Sequence, residues 1–483
     1  MDFLGLAGII VAMILFLVLV YKGCTPYWAA IICAIIVALT NRMGIVEAVT
    51  DKFVNGMLEV IISLFSVVFL GAIFGRVYQD TGAAESIANA LMKGFVLKRE
   101  GKKRITAAVI VLMVVGALCT IGGIDGYVLL FTLFPICLIF AKVCDIPRRF
   151  VPALLCLNCA FIFAPGSPQI YNIMAVAGMK SQIPQFVEKG AFGIVGQLES
   201  VSATSGVIPG IVATVIVAVL SCITLIKMIN KAMDNGEHFD FGPLQMPASE
   251  NEGERKLPHV IVAILPLILV FVLFSIVGLN VFLALGAGII LGLITMFPYL
   301  PKVDARGRAL SPIGSIVNTL NVGSSNYPSA LLNVVTPAGL AGVVTATAAF
   351  GMVVGVLGGL RIAPMVLLII VVCVIVAITS SPPAALMIAL PMFVGATTGP
   401  LLAQAAEAAS VLIPMNPHAI VRIAAIAAAT FETLPFNGMV ILCLSLPMCT
   451  HKESYKPIFL MTVAYIFLAT IVAALLFLIP GMV

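Results

Sequence analysis

The chain has 483 residues, of which 61% are hydrophobic and only 10% are charged. Soluble domains carry about 45–50% apolar and about 25% charged residues, so a soluble globular protein is excluded. Apolar runs of membrane-spanning length recur from Leu4 to the C-terminus, and the longest polar stretch, Asn230 to Leu257, cannot form a core of its own. The sequence therefore predicts an all-α polytopic protein of the inner cell membrane, with about 11–13 membrane segments.

The first apolar run follows Met-Asp without a basic leader or an Ala-x-Ala site, so we interpret it as a retained span. Almost all of the eleven cysteines lie in apolar runs, which predicts buried thiols and no disulfide framework. Cys156 and Cys159 form a Cys-x-x-Cys without a second pair, so neither a metal nor another cofactor is expected. The net charge of +5 is attributed to basic loops that face membrane lipid, not to nucleic acid.

Lysine and arginine mark the cytoplasmic loops under the positive-inside rule. They concentrate in five places, at 98–104, 142–149, 227–256, 302–308 and 451–456. Both ends of residues 105–141 are then on the same side of the membrane, so this segment must enter and return.

The two apolar arms of that segment, Ile105 to Cys119 and Tyr127 to Ala141, have fifteen residues each. Each arm would be about 22 Å long as a helix, against a hydrocarbon core of about 30 Å. We therefore expect the polar tip "TIGGIDG", residues 120–126, to stop inside the bilayer as a re-entrant hairpin. The alternative is two short tilted spans joined by a tight external turn.

The same arrangement returns later in the chain. Residues 362–397 are again two apolar arms around a polar tip, and each hairpin is followed by a long apolar span with a proline-containing break, at 151–179 and at 420–448. This pattern indicates a duplication, and counting the spans makes the two repeats inverted in the membrane. The predicted organisation is N-terminal scaffold spans (1–50), a first repeat (51–205), linking spans with a cytoplasmic loop at 230–257 (206–312), a second repeat (313–450) and a C-terminal span (451–483).

The breaks carry the residues that could hold a solute. Ser167 is predicted to be the N-cap of a half-helix that starts at Pro168; Ser381 precedes Pro382 in the same way, and Asn437 is a candidate cap after the second break. Helix N-termini that converge near the midplane favour a small organic anion. The predicted substrate-binding residues are Thr120, Gly122, Gly123, Pro165, Gly166, Ser167, Gln169, Ser380, Ser381, Thr433, Asn437 and Gly438. The alternative is that these residues only cap buried helix ends.

Two acids at membrane depth, Asp125 and Glu432, are the candidates for ion coupling, with H⁺ or Na⁺ as the coupling ion. Glu432 follows the C-terminal end of a half-helix, which favours its neutral, protonated form. Asp125 could instead cap a helix or ligate Na⁺. We expect Arg361, His418 and Arg422 to lie at the membrane interface.

Three stretches make the sequence resemble the gluconate permease (GntP) family, and within it the hydroxybutyrate or citrate-type permeases. They are "LGAIFGRVYQDTGAAESIA" (70–88), "DIPRR" (145–149) and "APGSPQIYNI" (164–173). The resemblance implies a place in the ion transporter superfamily, with inverted repeats, re-entrant hairpins, homodimers, an elevator-like transport domain and cation-coupled uptake of organic anions. The resemblance implies that residues 165–169 belong to the substrate site. An acid at position 125 is a departure from the gluconate-type members.

The most consistent hypothesis is a secondary transporter that imports a hydroxy-carboxylate such as gluconate or 3-hydroxybutyrate, with H⁺ favoured over Na⁺. The alternatives are an anion channel and a Na⁺-coupled carrier of di- or tricarboxylates. An intramembrane enzyme is disfavoured, because the sequence has no His-Glu-x-x-His and no histidine beside Ser167.

Overall fold

The computed structural model describes residues 3–21, 24–124, 126–240, 242, 256–304, 307–325, 327–350, 352, 362–379, 381–404, 408–435 and 437–481. Apart from one isolated β-bridge, all regular secondary structure in these ranges is helical, which confirms the all-α prediction. The principal helices in chain order are α1 (Phe3–Tyr21), α2 (Pro26–Thr40), α3 (Val54–Thr81), α4 (Ala83–Leu91), α5 (Gly101–Ile121), α6 (Gly126–Val143), α7 (Val151–Leu155), α8 (Ile170–Lys180), α9 (Ile183–Glu188), α10 (Phe192–Ser200), α11 (Val207–Asp234), α12 (Val260–Phe271), α13 (Val281–Thr295), α14 (Pro312–Ser325), α15 (Tyr327–Thr345), α16 (Pro364–Thr379), α17 (Pro382–Gln404), α18 (Pro417–Thr430), α19 (Gly438–Ser445), α20 (His451–Phe459) and α21 (Tyr465–Leu476).

Several of these helices have the length and the apolar composition of membrane spans. Within the described ranges α5, α11 and the continuous helix His451–Leu476, which joins α20 to α21, are long and apolar enough to cross a membrane. Shorter apolar helices accompany them, among them α2, α13 and α18. The chain is therefore a membrane protein that combines long spans with shorter apolar helices.

The first predicted hairpin consists of α5, a turn and α6, and its first arm is longer than predicted. α5 has 21 residues instead of fifteen, because the helix continues through the charged residues Lys102 to Arg104. Lys102 donates to Asp234 at the end of α11, with Nζ 2.7 Å from Oδ2. Helix length alone therefore does not require this hairpin to stop inside the bilayer.

The first break interrupts a short helix. α7 tightens into a 3₁₀ turn over Cys156–Ala160, and the backbone is irregular from residue 161 to residue 169, before α8 begins at Ile170. Pro165 and Pro168 lie in this stretch, where neither can donate a backbone hydrogen bond. Gly166 adopts a φ of 75°, a left-handed conformation that glycine accepts most readily.

The second break separates α18 from α19. α18 ends at Thr430, turns follow, and α19 begins at Gly438. The Asn437 side chain accepts a hydrogen bond from the backbone N–H of Met439, with a distance of 2.7 Å, so the predicted cap at Asn437 is confirmed.

α18 lies at the centre of the helical assembly. Its residues are buried except for His418, and it packs against α8, α16, α17 and α21. α17 also packs closely on α8, where a Cβ atom at Gly178 would approach the Leu386 carbonyl oxygen to 2.8 Å. The second hairpin, α16 and α17, is thus in contact with both broken helices.

A smaller apolar cluster forms beside the main core. It consists of residues from α1, α2 and α15, with Ala349 and with Ala48 and Phe53 from the π-helical segment Ala48–Phe53 before α3. The main core extends from α3 to α21 and includes buried residues of the first break, and Phe431 of the second break packs against it.

Candidate substrate site at the two helix breaks

Arg422 is the most heavily hydrogen-bonded side chain at the breaks. It lies on α18, is fully buried, and donates through all three guanidinium nitrogens. Nε donates to the Ser205 carbonyl at 2.8 Å, Nη2 to the Ala203 carbonyl at 2.7 Å, and Nη1 to the Phe163 carbonyl at 2.7 Å. Nη1 also donates to Asn172 Oδ1 at 2.8 Å. No carboxylate of the described chain accepts from this guanidinium.

The sequence did not predict that Arg422 is buried within the protein. A charged side chain normally extends toward water, but here the cation is solvated internally by backbone carbonyls. They belong to Phe163 in the first break and to Ala203 and Ser205 in the segment before α11. His418, one turn earlier, is partly buried and its Nδ1 lies 2.8 Å from Ser205 Oγ. Arg361 lies outside the described residues.

The first hairpin tip is bound to the first break by Gln169. Its Nε2 donates to the carbonyls of Thr120 and Ile124, at 2.6 and 3.0 Å. Gly123 ends α5 with a φ of 95°, and the N–H of Ile124 returns to the Cys119 carbonyl at 3.0 Å, as in a glycine-terminated helix. Gly122, Gly123 and Ile124 are all buried, so the tip is covered by protein.

Gly122 and Gly123 are needed for close packing. A Cβ atom at Gly122 would lie 2.4 Å from Leu267 Cδ2, and one at Gly123 would lie 3.0 Å from both Leu285 Cδ2 and Pro168 Cγ. The tip is therefore held between α12, α13 and the first break.

Ser167 is not the N-cap of α8, contrary to the sequence prediction. The helix begins at Ile170 and its N-cap position is Gln169, whose side chain makes no capping bond. The reason is that Asn172 Nδ2 donates to the Ala164 and Ser167 carbonyls, at 2.8 and 3.0 Å, and holds the backbone in an irregular turn up to residue 169. The Ser167 hydroxyl is buried and has no hydrogen-bond partner among the described residues.

Tyr171 and Glu432 join the two breaks directly. The Tyr171 hydroxyl, in the first turn of α8, donates to Glu432 Oε2, two residues after α18 ends. Both side chains are buried. With the Arg422 contacts, this places polar groups of both breaks against the first turn of α8.

The backbone of the second break is bound by α20. Tyr455 Oη donates to the Thr433 carbonyl at 2.9 Å, and His451 Nε2 lies 2.6 Å from the Pro435 carbonyl. The Thr433 hydroxyl lies 2.5 Å from the Thr462 hydroxyl, so it contacts the C-terminal span.

The remaining predicted site residues lie as follows. Pro165 packs against Gly210, and the Gly166 N–H donates to the Ala203 carbonyl at 3.0 Å. Ser381 is buried immediately before Pro382, the first residue of α17, and Gly438 is the first residue of α19. Asp125 and Ser380 lie outside the described residues. The breaks and the first tip thus meet, with Ser381 at the start of a helix that packs on α8.

Sequence reasoning missed four of the buried polar side chains in this region: Asn158, Tyr171, Asn172 and Arg422. The signal for Arg422 was present, as the single charge in the run "AIVRIAAIAAAT". Tyr171 and Asn172 carry no comparable signal, because Glu432 and Arg422, which they bind, are distant in sequence. Asn158 is buried by packing against Gly116, which is also distant in sequence. Within the described chain no group of three metal-ligating side chains could hold a metal ion.

Comparisons with known proteins identify the family. The sequence pattern of the GntP family permeases matches residues 4–287, more than half of the chain. The chain belongs to the GntP permease family. A relative from Bacillus subtilis (strain 168), the "Uncharacterized transporter YxjC", is 25% identical over 499 residues, which cover 94% of this chain and 95% of the relative.

A solved structure shares the fold. The crystal structure of the Alcanivorax borkumensis YdaH transporter, reported to have an unusual topology, is similar with a TM-score of 0.50, over 90% of this chain and 88% of that chain. At 14% identity this likeness concerns the fold alone. Family and relatives together make this GntP permease a transporter rather than an enzyme, and support secondary transport.

We expect Arg422→Met to destabilise the permease strongly, because it leaves four buried oxygen acceptors without their donor. Each unpaired buried acceptor costs about 1–3 kcal/mol, so the free energy of unfolding should fall by about 3 kcal/mol or more. The measurement is thermal and denaturant unfolding of the purified protein in detergent.

The matched control for Arg422→Met is Arg308→Met, since the Arg308 side chain is 71% exposed. That change should stay within about 0.5 kcal/mol of the parent. Equal unfolding curves for the two variants would contradict a structural role for the Arg422 guanidinium.

Proposed function

We propose that this GntP permease imports a small hydroxy-carboxylate, such as gluconate or 3-hydroxybutyrate, across the inner membrane together with H⁺. The observation that carries the proposal is the contact of both breaks with the first turn of α8, where Tyr171 donates to the buried acid Glu432 and Asn172 accepts from the buried cation Arg422. We infer the substrate class from the resemblance of the sequence to the hydroxybutyrate- and gluconate-type permeases.

The electrostatics of the breaks favour an anion. The N-terminus of a helix carries roughly half a positive charge, and both α8 and α19 begin at a break. Arg422 adds a full positive charge against α8 that is stabilised by neutral carbonyl groups alone among the described residues. A monocarboxylate that binds beside these groups would compensate this charge.

Glu432 is the proposed proton carrier, with Asp125 as the second candidate. An ionised carboxylate at membrane depth is unfavourable, whereas a protonated one requires only hydrogen bonds. Tyr171 already supplies one hydrogen bond to Glu432 from the break that would hold the substrate. Anion binding next to this carboxyl would favour its protonated form, so proton and substrate would move together.

The transport mechanism follows from the proposed repeats. We assign residues 51–205 and 313–450 as inverted repeats whose hairpins are re-entrant, and the broken helices with their hairpins as the mobile domain of an elevator in a homodimer. The buried tip at Gly122 to Ile124, bound by Gln169, supports the re-entrant assignment better than helix length does.

A cysteine at Ile121, a partly exposed residue of the tip, tests the hairpin in a cysteine-free protein. We expect Ile121→Cys to react with small thiol reagents from an aqueous cavity, to be protected by substrate, and to resist a bulky impermeant reagent applied outside. Gln185→Cys, at an exposed position after α8, serves as the externally labelled control. Rapid external labelling of Ile121→Cys regardless of substrate would indicate two complete spans with an outside turn.

Uptake by proteoliposomes tests the proton assignment. We expect Glu432→Gln to reduce the accumulation of gluconate or 3-hydroxybutyrate driven by a pH gradient by at least about ten-fold, because the variant cannot release a proton. Exchange of internal for external substrate should persist. Glu188→Gln, at an exposed carboxylate of α9, should behave as the parent.

The other outcomes discriminate the alternatives. Proton-driven accumulation by both Glu432→Gln and Asp125→Asn would exclude these acids as coupling sites. Accumulation that requires Na⁺ and ignores the pH gradient would favour the Na⁺-coupled di- or tricarboxylate carrier. Non-saturable flux without counterflow would favour the anion channel.

A further inference from the structure

We infer that Thr120, Asn158 and Ser167 form one cluster of hydrogen-bonding groups that binds the hydroxyl groups of the transported carboxylate. The inference rests on the proposed carboxylate transport and deepens it, because it separates recognition of the hydroxyl groups from recognition of the charge. Asn158 is included in the cluster because it packs against Gly116 on α5.

The three side chains share an unusual property. Each is at least 99% buried, and Thr120 Oγ1, Asn158 Nδ2 and Ser167 Oγ have no hydrogen-bond partner among the described residues. An unpaired buried polar group lowers the stability of the fold, so its retention calls for another explanation. The four other atoms of this kind lie away from the first break, on α3, α11 and α20, in Arg76, Ser221, Asn230 and Ser454.

Packing places the three groups around the first break. Thr120 follows Gly116 by four residues on α5, so the two share one face of that helix. A Cβ atom at Gly116 would lie 3.2 Å from Asn158 Cβ, which puts Asn158 against that same face. Gln169 binds the Thr120 carbonyl, and Ser167 precedes Gln169 by two residues.

The chemistry of the cluster suits hydroxyl groups. Each of the two protein hydroxyls can donate and accept, and the Asn158 amide nitrogen donates two hydrogens. No charged side chain belongs to the cluster, whereas the cation Arg422 binds Asn172, whose amide nitrogen donates to the Ser167 carbonyl, so the positive charge lies next to the cluster. A hydroxy-carboxylate could therefore bind its carboxylate near the positive groups and its hydroxyls near Thr120, Asn158 and Ser167.

A structural role and a binding role predict opposite behaviour. Replacing an unpaired buried polar group by an apolar one of similar size removes a desolvation cost, so the substrate-free protein should be equally stable or more stable. A substrate hydroxyl that loses its partner should bind more weakly.

The experiment uses Thr120→Val, Asn158→Leu and Ser167→Ala in the full-length protein. Competition against labelled 3-hydroxybutyrate uptake would give apparent affinities for 3-hydroxybutyrate, gluconate and unsubstituted butyrate, and thermal unfolding would give stability. We expect each variant to lose at least about ten-fold in affinity for the hydroxylated anions. Affinity for butyrate and the unfolding temperature without substrate should not fall.

Two further variants control for nonspecific damage. Thr120→Ser keeps the hydroxyl and should keep the preference for 3-hydroxybutyrate over butyrate. Thr398→Val removes a buried hydroxyl that is already paired with the Val394 carbonyl at 2.6 Å, and should lower stability without changing the preference.

An unchanged preference in all three cluster variants, with 3-hydroxybutyrate still transported, would overturn this inference and leave the proposed function standing. A parent protein that does not distinguish 3-hydroxybutyrate from butyrate would overturn it as well. Absence of any carboxylate binding or uptake by the parent would instead contradict the proposed function itself.

Discussion

The binding of Arg422 to backbone carbonyls of the first break and of the segment before α11 is the interaction on which the rest of the site depends. A chain that leaves its helix away from water exposes carbonyl oxygens that need hydrogen-bond donors. Arg422 supplies donors to one such oxygen in the first break, at Phe163, and to two in the segment before α11, at Ala203 and Ser205. In return these oxygens replace water around the guanidinium, so the irregular backbone and the buried cation stabilise each other.

This interaction also links the two halves of the chain. Arg422 belongs to α18 before the second break, while its partners belong to the first break and to the segment before α11. Tyr171 and Glu432 make a second link, and Arg148 a third, since its Nη1 donates to the carbonyls of Pro447 and Met448 at 2.7 Å. The broken helices are therefore bound to each other along their length.

The sequence predicted the membrane class, the helical fold and the position of the Asn437 cap, because these depend on composition and on contacts between near neighbours. It failed where tertiary contacts decide. Ser167 was predicted to be a cap, but Asn172 binds its carbonyl and α8 begins only at Ile170. The burial of Arg422 was not predicted, because the carbonyls that it binds lie more than two hundred residues away. The length of α5 was underestimated for another reason. The predicted arm was counted over apolar residues alone, whereas lysine and arginine are good helix formers and extend the helix beyond the apolar run.

The central claim is that anion binding at the breaks and protonation of Glu432 are linked. Titration calorimetry of the purified permease, in buffers that differ in ionisation enthalpy, counts the protons taken up when 3-hydroxybutyrate or gluconate binds. Because a bound anion raises the proton affinity of a nearby carboxylate, the account predicts uptake of about one proton per anion by the parent, and none by Glu432→Gln. Anion binding by the parent without proton uptake, at every pH where Glu432 is ionised in the empty protein, would contradict it.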